Sequence, residues 1–289
     1  MLWSPAKLRR PRNVDVQQRV AEARRDHPEA EAWLELLEAA LAESENEGKA
    51  AWDAVVPAPP VDRPANAPFL FRAQFVVNRR AAGSWVHRIA GREVDALALL
   101  EAALCQDDAR LETLAAAAGA DPQALRVTAQ MTAVPLLQAC GRAFAPQVAP
   151  TWWEGYCPVC GAWPTLAESI GLERKRQLRC GRCGTGWAIP LLRCVFCDEI
   201  QHDNLAYLTP EGGEQTRKVE VCNTCQGYLK AVTTVRAAAP WAILLDDLMT
   251  VPLDVAALER GYRRPERPGY ALAARVLEDG GGGWRMWRP

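Results

Sequence analysis

Apolar residues recur at Val16, Val20, Ala23, Ala30, Trp33, Leu34, Leu37 and Leu41, close to the 3.6-residue period of a one-faced helix. That spacing predicts helix over residues 16–42, with Pro28 placed to split it in two. Residues 54–68 carry five prolines, a density that suits neither a helix nor a central strand, and read as an extended connector. Helical periodicity returns over 92–104, 109–118 and 122–144. Asp121 followed by Pro122 reads as a cap and a first-turn proline, and Pro135 is expected to bend or end the last helix. A domain boundary is expected at 141–150.

After Trp152 the alanine-rich periodicity gives way to glycines, single aromatics and paired cysteines. Short β-compatible pieces at 193–196 and 218–221 alternate with turn signals such as Gly212-Gly213. Residues 241–245 read as a buried strand, and 253–262 as a short closing helix with Asp254 in its first turn. The tail is rich in Pro and Arg over 263–268. It then carries a glycine run at 280–283 followed by Trp284 and Trp287, and part of it is expected to be disordered. The expected fold class is multidomain α plus small β. A mainly helical domain (1–150) precedes a first four-cysteine metal module (151–190). A second module (191–262) with its closing strand and helix follows, and then the tail (263–289).

The cysteines change this picture most. Eight of the ten form four Cys-x-x-Cys pairs within 69 residues: Cys157/Cys160, Cys180/Cys183, Cys194/Cys197 and Cys222/Cys225. Such a pair makes a tight turn, or knuckle, that aims both sulfurs at one ion, and two knuckles complete a tetrahedral site. In neighbour order, the first site takes Cys157, Cys160, Cys180 and Cys183 with 19 residues between its knuckles. The second takes Cys194, Cys197, Cys222 and Cys225 with 24 between. Pairing of the first knuckle with the third stays open, as does the choice of iron or zinc. Gly161 and Gly184 follow the first two knuckles, where a left-handed residue is expected, whereas Asp198 and Gln226 follow the last two. Cys105 and Cys140 lie in helical patterns and read as core.

Charge narrows the candidates. Lys plus Arg number 34 against 35 for Asp plus Glu, so the whole chain is not drawn toward nucleic acid or anionic lipid. Residues 22–47 hold nine acidic and two basic side chains, a solvated face or a docking surface for a basic peptide. Residues 174–193 hold six basic side chains and no acidic one: Arg174, Lys175, Arg176, Arg179, Arg182 and Arg193. They offset the negative charge of an all-thiolate metal site, contact phosphate, or dock an acidic partner. No apolar run is long enough to cross a bilayer. Arg9-Arg10 is followed by no apolar stretch, so no signal peptide is expected. His27, His87 and His202 do not stand at ligand spacing from a knuckle, and neither a phosphate-binding loop nor a nucleophile–base arrangement is visible. No catalytic or cofactor-binding residue is expected, and the chain does not read as an enzyme.

The arrangement resembles the formate dehydrogenase accessory proteins, the FdhE family. The resemblance rests on Cys-Pro-Val-Cys-Gly at 157–161, on 176–183 with Trp187, and on 193–197. It extends through 222–230, with Tyr228 and Lys230, and through Asp246-Asp247, Asp254 and Gly261-Tyr262. It implies a helical domain followed by two rubredoxin-like modules holding iron or zinc, two ions per chain, on the eight knuckle cysteines. It also implies a chaperone-like role in maturing a formate dehydrogenase, binding its catalytic subunit in the cytoplasm without itself oxidising formate. A rubredoxin-like redox protein and a zinc-ribbon nucleic-acid binder are the competing readings.

Overall fold

The structure, a computed structural model, describes residues 13–44, 54, 56–209 and 216–279. The Gly212-Gly213 turn, the glycine run at 280–283, Trp284 and Trp287 lie outside the described residues.

The first half is helical: α1 (Asn13–Asp26), a 3-10 turn (Pro28–Ala30), α2 (Glu31–Ser44), α3 (Arg79–Ala90), α4 (Ala96–Cys105), α5 (Asp108–Ala118) and α6 (Pro122–Phe144). Pro28 does divide the first pattern in two. Side-chain oxygens of Asn78, Asp95, Asp107 and Asp121 accept the backbone N–H three residues on, which caps α3 to α6 in turn. α6 is the central helix, and nearly everything on it from Met131 to Gln138 is buried. It runs on through Pro135, contrary to a stop there, because this burial outweighs one missing ladder bond. In the turn before the proline, the Thr132 carbonyl accepts the indole N–H of Trp85 at 2.9 Å.

The second half is built on one six-stranded sheet from β2 (Leu166–Ile170), β3 (Lys175–Arg179), β4 (Gly186–Ala188), β5 (Leu205–Leu208), β6 (Arg217–Cys222) and β7 (Tyr228–Thr234), in the order β4-β3-β2-β7-β6-β5. Two antiparallel three-stranded units, β2–β4 and β5–β7, fuse through parallel pairing of β2 with β7, Leu166 opposite Lys230. Each unit repeats one order: knuckle, strand, strand, knuckle, strand.

Two sequence expectations are corrected here. Residues 193–196 are knuckle turn, not strand, because Cys194 folds back on Glu199. The stretch 241–245 is not a strand: Trp241 precedes helix α7 (Ala242–Leu248), which takes in the rest. Five apolar residues do not distinguish the two, and the helix continues into Asp246 and Asp247, whose carboxylates meet Arg19 and Lys230. Of the tail, residues 263–279 are described: Leu272 and Ala274 are buried, and β8 (Arg275–Glu278) pairs in parallel with β1 (Gln74–Val77), between the connector and α3. Helix α8 (Val251–Glu259) closes the sheet as expected.

The expected boundary at 141–150 does not interrupt the hydrophobic core, which extends from Leu34 and Leu137 to Cys157 and Cys183. At Gly141 of α6 a Cβ would stand 2.0 Å from the carbonyl oxygen of Cys183, so the helix needs glycine to lie on the knuckle.

Candidate metal centres

All four knuckles share one backbone design. The N–H of each leading cysteine donates to the carbonyl five residues on: Cys157 to Ala162 (2.8 Å), Cys180 to Thr185 (3.0 Å), Cys194 to Glu199 (2.8 Å) and Cys222 to Gly227 (3.0 Å). The residue after each second cysteine is left-handed: Gly161 (φ 69°), Gly184 (75°), Asp198 (62°) and Gln226 (56°). Aspartate and glutamine therefore take the conformation that glycine takes more cheaply, at about 1–2 kcal/mol each. Local bonds oppose that cost. Asp198 pairs with Arg193 at 2.7 Å, and Gln226 donates to the Asn223 carbonyl at 2.7 Å.

The sulfurs gather in two groups of four, each with its ligand atoms within 4.8 Å of one another: Cys157, Cys160, Cys180, Cys183, and Cys194, Cys197, Cys222, Cys225. Nearest sulfurs are 3.4 Å (Cys157–Cys183) and 3.5 Å (Cys160–Cys180) apart in the first, and 3.7 Å (Cys194–Cys225, Cys197–Cys222) in the second. No disulfide joins them. A tetrahedral ion with bonds of about 2.3 Å spaces its sulfurs by roughly 3.8 Å. Each group could thus hold one ion with little movement.

The first group is wholly buried, whereas Cys197 and Cys225 of the second are exposed. Burial pushes the Cys157 and Cys183 thiols well up, while hydrogen bonds from Cys157, Cys180 and Cys183 hold Cys160 well down. In the second group burial pushes Cys194 up and Cys225 to about 11. A bound cation reverses this balance and ionises all four.

A further sign that the first group fits an ion is Arg182, within the knuckle itself. Its guanidinium donates to the Ala103 carbonyl at the end of α4, and Nε and Nη1 are buried with no partner among the described residues. No described carboxylate pairs with it, and its charge is close enough to draw Cys160 down. A half-buried cation without a counterion carries part of the cost of a buried one. Four thiolates around a divalent ion, net charge −2, supply that counterion.

Most of the rest of the basic run is paired within the chain. Arg176 pairs with Glu220, Arg179 with Glu168 at 2.6 Å in the interior, Lys175 with Glu173, and Arg193 with Asp198. Among the six, only Arg174 has neither a described carboxylate partner nor a described hydrogen bond from its side chain. His27 meets Glu29, His87 meets the Val94 carbonyl, and His202 is exposed beside Asp203, all away from the sulfurs. Cys140 is buried, which pushes its thiol to about 12, and Cys105 meets the Ala274 carbonyl.

The sequence reading did not find the ion-pair cluster beside the second group. Lys230 of β7, fully buried, reaches Asp247 (2.7 Å) and Asp254 (2.6 Å), and Arg264 pairs with both. Tyr228 donates to Asp254 at 2.8 Å. Charges balance within this cluster, and it fastens α7 and α8 to the sheet. Its signal was the lone lysine of an otherwise apolar strand. No described helix is long and apolar enough to cross a membrane.

Comparison with known proteins agrees with this architecture. Residues 192–268 match the family model described as FdhE, C-terminal domain. The chain is 31% identical over 119 residues to the Protein FdhE homolog of Aquifex aeolicus, covering 40% of this chain and 41% of that protein. It is 37% identical over 126 residues to the Protein FdhE homolog of Pseudomonas aeruginosa, covering 40% and 39%. It is 32% identical over 111 residues to Protein FdhE of Escherichia coli O127:H6, covering 38% and 35%. The matches thus span about two-fifths of the length of these relatives. The crystal structure of the FdhE protein from Pseudomonas aeruginosa shares the fold, with a TM-score of 0.54 and 22% identity over 89% of this chain and 94% of that one. Family model, curated relatives and solved structure all bear the FdhE name, and this chain is similar to each of them over the stretches given.

Proposed function

We propose that this protein is an accessory factor for formate dehydrogenase maturation, binding the catalytic subunit in the cytoplasm and performing no catalysis of its own. The eight knuckle cysteines ligate two ions, iron or zinc. Together these ions make the sheet, the closing helices and the central helix into one rigid platform. The observation that carries this reading is the pair of four-sulfur groups set on a single sheet, in a chain whose residues 192–268 match the FdhE C-terminal domain. The proposed units are 1–150, 151–190 and 191–262, with the tail from 263 returning to the first of them.

The test is anaerobic co-purification from cells that express a formate dehydrogenase, with metal counted per chain. Stoichiometric recovery of the catalytic subunit and close to two ions per chain is the expected result. Recovery of no formate dehydrogenase subunit overturns the accessory role, and an intact, metal-free protein that still binds overturns the metal platform. A redox role draws support from exposed Cys197 and Cys225, through which an electron could enter the second site. Protein holding zinc alone would exclude it. A nucleic-acid role draws less support, because four of the six basic side chains of the run already pair with carboxylates of this chain, two of them in the interior.

A further inference from the structure

Beside the second sulfur group stands a half-buried carboxylate that meets no described cation. Glu199 follows Cys197 by two residues and accepts four hydrogen bonds. Its Oε1 takes the backbone N–H groups of Ile200 (2.9 Å) and Gln201 (2.8 Å). Its Oε2 takes Asn204 Nδ2 (3.0 Å) and the hydroxyl of Thr224 (2.5 Å). An ionised carboxylate only accepts, at about four lone-pair sites, so protein donors saturate Glu199 and leave nothing to bind an ion directly.

Thr224 lies inside the fourth knuckle, between Cys222 and Cys225, so its bond to Glu199 ties the third knuckle to the fourth. The backbone N–H groups of Cys225 and Thr224 face the Cys222 sulfur. The loop after Glu199 holds the same knuckle again, because Asn223 donates its N–H to the Asn204 carbonyl at 2.8 Å. The first group has a simpler counterpart, the Thr165 hydroxyl accepting from the Gly181 N–H at 2.8 Å, and there the core encloses all four sulfurs. Cys197 and Cys225 of the second group are exposed, so packing alone does not align its knuckles.

We propose that Glu199 is the positioning residue of the second site. Through Thr224 it holds the fourth knuckle in register with the third, so the four sulfurs are assembled before an ion arrives. Groups that orient ligands in this way raise metal affinity without touching the metal. The role rests on the reading that Cys194, Cys197, Cys222 and Cys225 hold an ion.

The test uses the full-length protein loaded with cadmium, whose NMR spectrum gives one metal resonance per sulfur group. Cys197→Ser assigns the second, and a competing chelator reads the affinity of each. Glu199→Ala shifts the second resonance and lowers that affinity by about 10–100-fold, with the first group unchanged. Thr224→Val keeps the shape of the side chain, removes the hydroxyl, and lowers it by about tenfold. The double variant is no weaker than Glu199→Ala, because both substitutions break the same bond. Glu199→Gln recovers part of the loss, since its amide still reaches the Thr224 hydroxyl, which accepts as well as donates. Wild-type affinity in Glu199→Ala and Thr224→Val overturns the proposal and leaves the metal reading standing. Losses that add in the double variant, or that fall on both groups alike, also overturn it. Should Glu199→Ala fail to fold, Thr224→Val at its exposed position decides alone. Wild type with no second resonance overturns the metal reading, and the role of Glu199 falls with it.

Discussion

The two sulfur groups have the same knuckles and opposite surroundings. The first lies inside the main core: α6 presses Gly141 onto the Cys183 carbonyl, Arg182 brings a half-buried positive charge, and all four sulfurs are shielded from water. The second stands near the sheet edge with Cys197 and Cys225 exposed, Asp198 and Gln226 in strained turns, and an apolar groove at its side. Ligand chemistry alone thus leaves accessibility undecided, and the elements packed on the knuckles set it. The first group is sealed into the core, and the second is open to solvent at two of its four sulfurs.

The sharpest way to break this contrast is Cys180→Ser. Structural zinc is worth on the order of 10–16 kcal/mol in finger peptides, against a typical net stability of about 5–15 kcal/mol. Loss of the first ion should therefore unfold the sheet region and the helices sharing its core, as read by circular dichroism and metal count. Cys197→Ser should lower the melting temperature far less, and equal losses would erase the distinction. A chelator added to wild type should remove one ion quickly and the other at least tenfold more slowly. The rapid fraction should vanish in Cys197→Ser, and a single release phase counts against the contrast.

Arg179→Met strands Glu168 in the interior and should cost about 3–5 kcal/mol in denaturant unfolding. Arg182→Met sharpens the comparison further, because its sign depends on the metal. Metal affinity at the first group should fall by about 10–100-fold with the second unchanged. The metal-free protein should be no less stable than its wild-type counterpart, since an unpaired, half-buried cation has been removed. A simple packing role would destabilise both forms alike. The smallest effect is expected of Asp198→Gly, which exchanges backbone strain for the Arg193 pair and should shift stability by about 1 kcal/mol or less.

What could be read from sequence follows the range of the forces involved. The knuckles were legible because each is closed by bonds spanning five residues. α2 and α4 to α6 were legible through their apolar period, and Asp121 through its cap. α3 went unread although Asn78 caps it and Ala82, Trp85 and Val86 form its buried face, because arginines and Gly83 interrupt the apolar pattern. β2, β3 and β7 owe their pairing to partners up to some 60 residues away, and Glu168, Arg179 and Lys230 look too polar for a core until their partners are seen. The repeat of the two units stayed hidden because their inter-knuckle stretches differ in length and residues.

The parallel pairing of Gln74–Val77 with Arg275–Glu278 carries a consequence for biogenesis. Residues 74–77 wait for a segment some 200 residues further on, so this clasp forms only after Arg275–Glu278 has left the ribosome. Premature termination anywhere before Arg275 would release a product whose Phe75 and Val77, otherwise buried, lack their companion strand, and such fragments should be sticky and short-lived in the cell.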